Sequence, residues 1–247
     1  MKPYRIDARD IHYTPLNQMI RRAVNEGVTD ITIDNVLGQR FIADGLRGEK
    51  VTITINGVPG GDLGMFMSGP TVIVNGNADH APGNTMDAGM IVIHGSAGDA
   101  VAHSMRGGRV YVRDNIGYRG GIHMKQYLEK RPILVVGGSA RAFLGEYMAG
   151  GLLIVLGMHG SPPLSERGIG SGIHGGEIFV RGKVDNNLLG VGAKQKPATD
   201  DEKHRIGPAI RDFAEQFSLD PTPLLASDYT RIVPASARPF ANKYTWE

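Results

Sequence analysis

The chain lacks cysteine entirely across its 247 residues. Thiolates ligate iron–sulfur clusters and structural zinc, and a thiolate is also a common covalent nucleophile. The sequence therefore excludes cysteine-ligated clusters, thiolate zinc sites and cysteine-based catalysis within this chain. It also excludes disulfide bonds, which agrees with a reducing compartment.

An excess of one charge and long apolar runs are missing too. The 27 basic residues nearly balance 25 acidic ones, and only 6% of residues are aromatic. Nucleic-acid-binding domains usually carry a basic face, so no nucleic-acid partner is expected. No apolar run approaches the ~20 residues that span a bilayer, and the start, Met1 to Tyr4, has no signal-peptide core. We expect a cytoplasmic protein with no membrane partner.

Glycine is abundant instead, with 35 residues, and it recurs at a fixed spacing. Gly57, Gly76 and Gly95 each close a short apolar strand and lie 19 residues apart. The series continues through Asp114, Gly138, Gly157 and Gly182, with five or six residues inserted at two steps. A period near 20 residues with loop-sized insertions is typical of a solenoid.

A triplet of β-type residues precedes each closing position, as in Ile53-Thr54-Ile55. Alternate side chains of a strand face opposite sides, so the first and third members are predicted to point inward. The middle members form an outer row, which is Thr54, Ile73, Val92, Tyr111, Val135, Ile154 and Phe179. A solvated face should be polar, but six of these seven are apolar. The row is therefore either covered by the chain's own ends or a docking surface.

Two further columns fix the register of the repeat. Ten residues past the closing positions lie Met67, Met86, Met105, Met124 and Met148, which predict a stacked interior ladder. Seven residues past them lie Gly64, Gly83, Ala102, Gly121 and Gly145, which suit corners with positive φ. The sequence predicts an all-β fold, a single-stranded right-handed parallel β-helix of about seven 19-residue turns with short flanking α-helices.

The flanks differ from the repeat and suggest three regions. Residues 1–27 form an N-terminal extension and a capping helix, which begins at Thr14-Pro15 and stops at Gly27. Residues 28–195 are the β-helix. Residues 196–247 contain a helix marked by Ile210, Phe213 and Phe217, then an extended tail from Asp220 that holds the only tryptophan, Trp246.

Candidate chemistry is sparse. The run Gly168 to Gly172 looks like a phosphate cradle, but a strand follows it where the dinucleotide fingerprint needs a helix, so coil corners explain it better. His103 and His123 fall in neighbouring columns on adjacent coils and are expected to be close, as surface residues rather than metal ligands. No catalytic, cofactor-binding or metal residue is predicted. The inserted segment Ser161-Pro162-Pro163-Leu164 is a second candidate interface, with Leu164 as its anchor.

The segments Asn35 to Leu46 and Gly89 to Gly95, with the glycine-bounded turns, resemble the GXGXG domain. That domain is the C-terminal β-helix of the glutamate synthase large subunit, and the similarity covers residues 28 to 195. The size and the N-terminal helix are similar to the separate third subunit of split glutamate synthases and to the matching subunit of N-methylglutamate synthase. One of the subunits of formylmethanofuran dehydrogenase is a more distant relative.

The resemblance implies a non-catalytic scaffolding subunit that holds ammonia-producing and ammonia-using domains together. Its implied partners are flavin-domain and amidotransferase-domain subunits, which would carry FMN and iron–sulfur clusters, with no cofactor in this chain. The alternatives are an independent enzyme or ligand-binding β-helix that uses the inserted loops near Lys125 to Arg131 and His159 to Gly168, or a scaffold of a formylmethanofuran dehydrogenase-type complex. The sequence leaves homo-oligomerisation open.

Overall fold

The computed structural model describes residues 4–160 and 162–236. Its elements, in chain order, are β1 (Tyr4–Asp7), α1 (Tyr13–Asn25), β2 (Asp30–Leu37), β3 (Thr52–Val58), β4 (Ser68–Asn75), β5 (Ala88–Ile93), β6 (Arg109–Val112), β7 (Ile133–Val136), β8 (Ala149–Val155), β9 (Gly175–Arg181), a 3-10 helix (Asn186–Leu188), β10 (Ala193–Pro197), α2 (Asp200–Gln216), α3 (Thr222–Leu225) and β11 (Tyr229–Pro234).

The strands form one 11-stranded sheet in the order β1-β2-β3-β4-β5-β6-β7-β8-β9-β11-β10. Strands β1 to β9 pair in parallel with their sequence neighbours, which is the pattern of a coil that returns one rung higher at each turn. Ile53 pairs with Val72, and Val72 pairs with Ile91, as the 19-residue spacing predicts. The predicted parallel β-solenoid of about seven turns is confirmed.

The interior of the coil is built from the two inward members of each triplet and from the methionine column. All five methionines of that column are fully buried, with no exposed surface: Met67, Met86, Met105, Met124 and Met148. Unbranched thioether side chains adapt to the irregular space between rungs. The predicted interior ladder is confirmed.

Each coil turns one corner with three left-handed residues at alternate positions. In the second such corner these are Asp62, Gly64 and Phe66, at φ 62°, 67° and 55°. The middle position is the predicted glycine column, and Ala102 takes it in one coil at φ 59°. The run Gly168 to Gly172 is the last of these corners, with φ 85°, 67° and 66° at its three glycines. Its glycines therefore serve the backbone of the coil.

Helix α1 closes the N-terminal end of the coil. Its apolar face buries Leu16, Ile20 and Ala23 against the interior core. The predicted cap at Thr14 is wrong, since His12 is the N-cap and its side chain accepts a hydrogen bond from the Thr14 amide. The helix still places its apolar residues as expected, because a shift of one cap residue does not change the 3.6-residue period.

The C-terminal segment covers and then completes the sheet. Helix α2 starts with a capping box between Thr199 and Glu202 and lies across the outer side of the sheet. After α3, β11 inserts antiparallel between β9 and β10, so the predicted extended tail is in part a paired strand. Trp246 lies outside the described residues. In the part of the chain that the structure describes, no helix has the length and apolarity needed to cross a bilayer.

Candidate functional site

Helix α2 buries five of the seven residues of the predicted outer row. Val92, Tyr111, Val135, Ile154 and Phe179 are each at most 1% exposed. They share one apolar cluster with residues of α2. The prediction that the whole row is a docking surface is therefore wrong for these five. Their apolar character is explained by the chain's own helix.

The contact between α2 and the sheet is specific as well as apolar. The rings of Tyr111 and Phe213 meet edge-on, with centroids 5.9 Å apart. The Tyr111 hydroxyl donates a 2.7 Å hydrogen bond to Asp212, and the Arg109 guanidinium lies 3.5 Å from the same carboxylate. Burial and the Asp212 carboxylate raise the pKa of Tyr111. This hydroxyl is consequently a fixed donor at any physiological pH.

A cluster of ion pairs holds the first turns of α2 at the other end. The Glu177 carboxylate accepts hydrogen bonds from Arg131, Arg205 and Arg231 at 2.7 to 3.1 Å. Burial alone would raise the pKa of Glu177, but Arg205 and Arg231 hold it below its usual value. Arg231 also bonds to Glu202, so one guanidinium links strand β11 to the helix and the sheet. The cluster is a structural clamp.

The helix ends before the sheet does. At about 1.5 Å per residue, the 17 residues of α2 reach about 25 Å, and parallel strands lie about 4.8 Å apart. The helix therefore covers β5 to β9, and it ends where Phe217 meets His94, with ring centroids 5.1 Å apart. The outer side of β2 to β4 is left uncovered by α2.

We call the uncovered side of β3 and β4 the open face, which consists of Thr52, Thr54, Asn56, Thr71, Ile73 and Asn75. Thr54 and Ile73, the two remaining members of the predicted row, are partly buried there. The Asn75 amide donates to Asn56, and the Asn56 amide donates to Asp34, at 2.8 and 2.7 Å. This ladder fixes the side chains along one border of a flat surface.

The predicted anchor in the second inserted loop has a different role. Leu164 is only 5% exposed and belongs to the interior core. Its backbone forms a parallel bridge with Ala140 of the preceding coil. The prediction that Leu164 anchors a partner is therefore wrong, since the loop carries the side chain back into the coil. Ser161 lies outside the described residues.

The predicted neighbours His103 and His123 do lie together, with ring centroids 6.1 Å apart. Burial, then the nearby His123, lowers the pKa of His103. His123 also stacks on Tyr147, with centroids 5.3 Å apart and planes 15° apart. Among the described residues no three or more His, Asp or Glu side chains are grouped as metal ligands would be.

These histidines border what we call the basic groove. Its first part is a cavity of about 470 Å³ lined by Ser104, Arg106, His123, Lys125, Tyr147, Ala149 and His174. Its second part is a cavity of about 420 Å³ lined by Asp87, Arg106, Lys125, Tyr127 and Lys130. Arg106 and Lys125 line both parts, so the two are continuous.

The repeat explains how the groove is formed. Arg106 and Lys125 directly follow Met105 and Met124, so the buried methionines turn the next residue outward. Sequence reasoning missed this column, although the signal was present: the residue after each methionine is Ser68, Asp87, Arg106, Lys125 or Ala149. Only its alignment over several coils shows that two cations are neighbours.

Comparison with known proteins places the chain among its relatives. The family model described as the GXGXG motif matches residues 17–237. An uncharacterized protein of Methanocaldococcus jannaschii is 53% identical over 249 residues, which cover 97% of this chain and 95% of that protein. A chain in the crystal structure of the formyltransferase/hydrolase complex of Methylorubrum extorquens with methylofuran has a TM-score of 0.61 and 17% identity, over 96% of this chain and 97% of that chain. That likeness is one of fold.

Proposed function

We infer that this chain, which belongs to the GXGXG motif family, is a non-catalytic scaffolding subunit of a multisubunit oxidoreductase. The solenoid supplies a rigid body in which every rung is hydrogen-bonded to the next, and a rigid surface binds without paying an ordering cost. The proposal rests on the family and on the surfaces described above.

The open face is the observation that carries the proposal. The outer side of the sheet is apolar and sealed over β5 to β9, whereas over β3 and β4 it is flat and has no cover from α2. Ile73 at its centre is only partly buried, and threonine side chains surround it. A flat strand surface with an apolar centre and a polar border has the composition of a protein interface.

The finer proposal is a glutamate synthase-type complex. There the partners would be a flavin-domain subunit and an amidotransferase-domain subunit, which would carry FMN and the iron–sulfur clusters in the cytoplasm. This chain has no cysteine with which to ligate a cluster. Its contribution would be to hold the two partner domains at a fixed distance, so that ammonia passes between them.

A second candidate is a complex related to one-carbon transfer. It is favoured by the fold likeness to a chain of the formyltransferase/hydrolase complex of Methylorubrum extorquens. In that case the chain would play the same scaffolding role with formyltransferase or hydrolase partners. The identity of the captured partners separates the two candidates.

The test is co-expression of the tagged chain with flavin-domain and amidotransferase-domain proteins encoded beside it, followed by pull-down. We expect both partners to be recovered, and Ile73→Asp with Thr54→Asp to abolish recovery while the chain stays folded. Val191→Asp is the control, since Val191 is 87% exposed and lies outside the open face. Recovery of formyltransferase-type partners would favour the second candidate. Absence of any partner, or recovery unaffected at the open face, would reject this docking model.

A further inference from the structure

We propose that the basic groove binds an extended, carboxylate-rich peptide segment of a partner subunit. This inference rests on the scaffolding function proposed above and adds a second, chemically different contact to it. The groove lies on the corner side of the coil, away from the apolar cluster under α2. It is therefore available while the sheet side is occupied.

Charge is the first argument. Arg106 and Lys125 occupy the same column of adjacent coils, about 4.8 Å apart along the axis, and both are exposed. Within the described part of the chain neither forms an ion pair, although 19 ion pairs are present there. Like charges on neighbouring rungs repel each other, so an anion between them removes an unfavourable term.

The surrounding side chains set the shape of the site. Ser104 and Ala149 are small and leave space on either side of the cations. The stacked rings of His123 and Tyr147 form one wall. The inserted hairpin forms the other end, where Tyr127 and Lys130 exchange backbone hydrogen bonds at 3.0 and 3.2 Å and the Tyr127 ring is 62% exposed.

Asp87 defines which end of the groove accepts negative charge. The Lys130 ammonium lies 2.5 Å from the Asp87 carboxylate, so this pair is already neutralised. The positive potential is thus concentrated at Arg106 and Lys125, with His174 at the far end. From Asp87 to His174 the column spans four coil steps, or about 19 Å, which an extended segment of about six residues would fill.

A peptide fits this site better than a nucleic acid does. Binding to a nucleic acid depends on neutralising many phosphates in a row, and proteins that do so carry a large basic surface. Here two permanent cations stand alone in a chain of net charge +2. Two or three carboxylates, held with aromatic side chains at either end, match the groove in number and in spacing.

The probe is fluorescein-labelled Glu-Ala-Glu-Ala-Glu, titrated with the full-length protein by fluorescence anisotropy at low and moderate salt. We expect saturable binding that weakens as salt is raised, at least tenfold weaker binding by Arg106→Glu and by Lys125→Glu, and no binding of the matched Gln-Ala-Gln-Ala-Gln peptide. Arg47→Glu is the matched control, because Arg47 is exposed in the same column but outside the groove. Circular dichroism establishes that each variant is folded.

Several outcomes would overturn the inference. These are no binding of the acidic peptide, equal loss with Arg47→Glu, or tighter binding of a single-stranded oligonucleotide or of inorganic phosphate at the same residues. The pull-down described above separates the two proposals. If partners are recovered equally well with Arg106→Glu, the scaffold stands and the groove is not its contact. If no partner is recovered with the unaltered chain, the scaffold fails whatever the peptide does.

Discussion

Tyr111 and Asp212, separated by 101 residues in sequence, are joined by a 2.7 Å hydrogen bond between the phenol and the carboxylate. The first residue lies at the centre of the sheet and the second on the helix that covers it. The bond therefore reports directly on whether the C-terminal helix is docked.

Replacing Tyr111 with phenylalanine should weaken this docking modestly. The ring contact with Phe213 is kept, while the hydrogen bond is lost, so we expect a loss of about 1 kcal/mol in the free energy of unfolding by urea. The control is Tyr118→Phe, whose ring keeps its place under Arg141 and which should change stability by less than about 0.5 kcal/mol. Equal effects from the two variants would contradict this assignment.

Replacing Met105 with aspartate should prevent folding. Met105 has no exposed surface, and the coil offers no basic group inside that would pair with the new carboxylate. Met105→Leu is the matched variant and should cost less than about 1.5 kcal/mol, since its volume and polarity are similar. Solubility and thermal melting distinguish the two, and a folded aspartate variant would disprove the interior register.

Two glycines with similar backbones should respond differently to alanine. Gly27 and Gly89 have φ of +86° and +101°, but a Cβ at Gly27 meets nothing within 4 Å, whereas one at Gly89 would lie 2.3 Å from the Pro70 carbonyl oxygen. Gly27→Ala should therefore cost about 1 to 2 kcal/mol for the left-handed conformation alone. Gly89→Ala should cost clearly more, because neighbouring rungs must separate. Urea denaturation of both proteins measures the difference, and a smaller loss at Gly89 would contradict the steric argument.

Acid should loosen helix α2. Burial works to raise the pKa of Glu202, but Lys196, the Thr199 amide and Arg231 lower it to about 2, from 4.5 for a free side chain. Because the folded pKa lies below the unfolded one, the ionised group stabilises the fold in full above about pH 4.5, and this contribution is lost as the pH falls towards 2. The pKa of Glu177 is shifted in the same direction.

The measurement is urea denaturation at a series of pH values from about 6 down to about 3. We expect stability to fall with pH, and Glu202→Gln to be less stable than the natural chain at pH 6 but closer to it at pH 3. Glu129→Gln, in the exposed hairpin, serves as the control. A pH response unchanged by Glu202→Gln would mean that other carboxylates dominate acid unfolding.

The repeat made the coil predictable because one constraint is imposed many times. A single misplaced residue in one triplet does not hide a spacing that recurs from Gly57 to Gly182, and stacking identical columns is the only way to bury them together. The apolar outer row was predictable as a property, but its occupant was not. The sequence offered both a helix marked by Phe213 and an unknown partner, and the two bury a strand face equally well.

The site was harder to predict because it depends on lengths and loop paths. The row is divided between covered and open parts where a helix of 17 residues ends, and amphipathic spacing does not reveal where on the sheet a helix begins. Leu164 was misassigned because an inserted loop and a rejoining strand both follow proline. Its backbone pairing with Ala140 requires knowledge of the chain path over the preceding coil.

The two ends of the sheet have a consequence for growth. Strands stacked in register at about 4.8 Å repeat the spacing of an amyloid fibril, and such a stack recruits further strands at an exposed edge. At one end β10 runs antiparallel and presents Lys194, Lys196 and Pro197, the last of which has no amide hydrogen to donate. At the other end α1 seals the interior against a further coil. Each molecule thus terminates its own stack, and the same architecture that would template a fibre is kept to a fixed number of rungs.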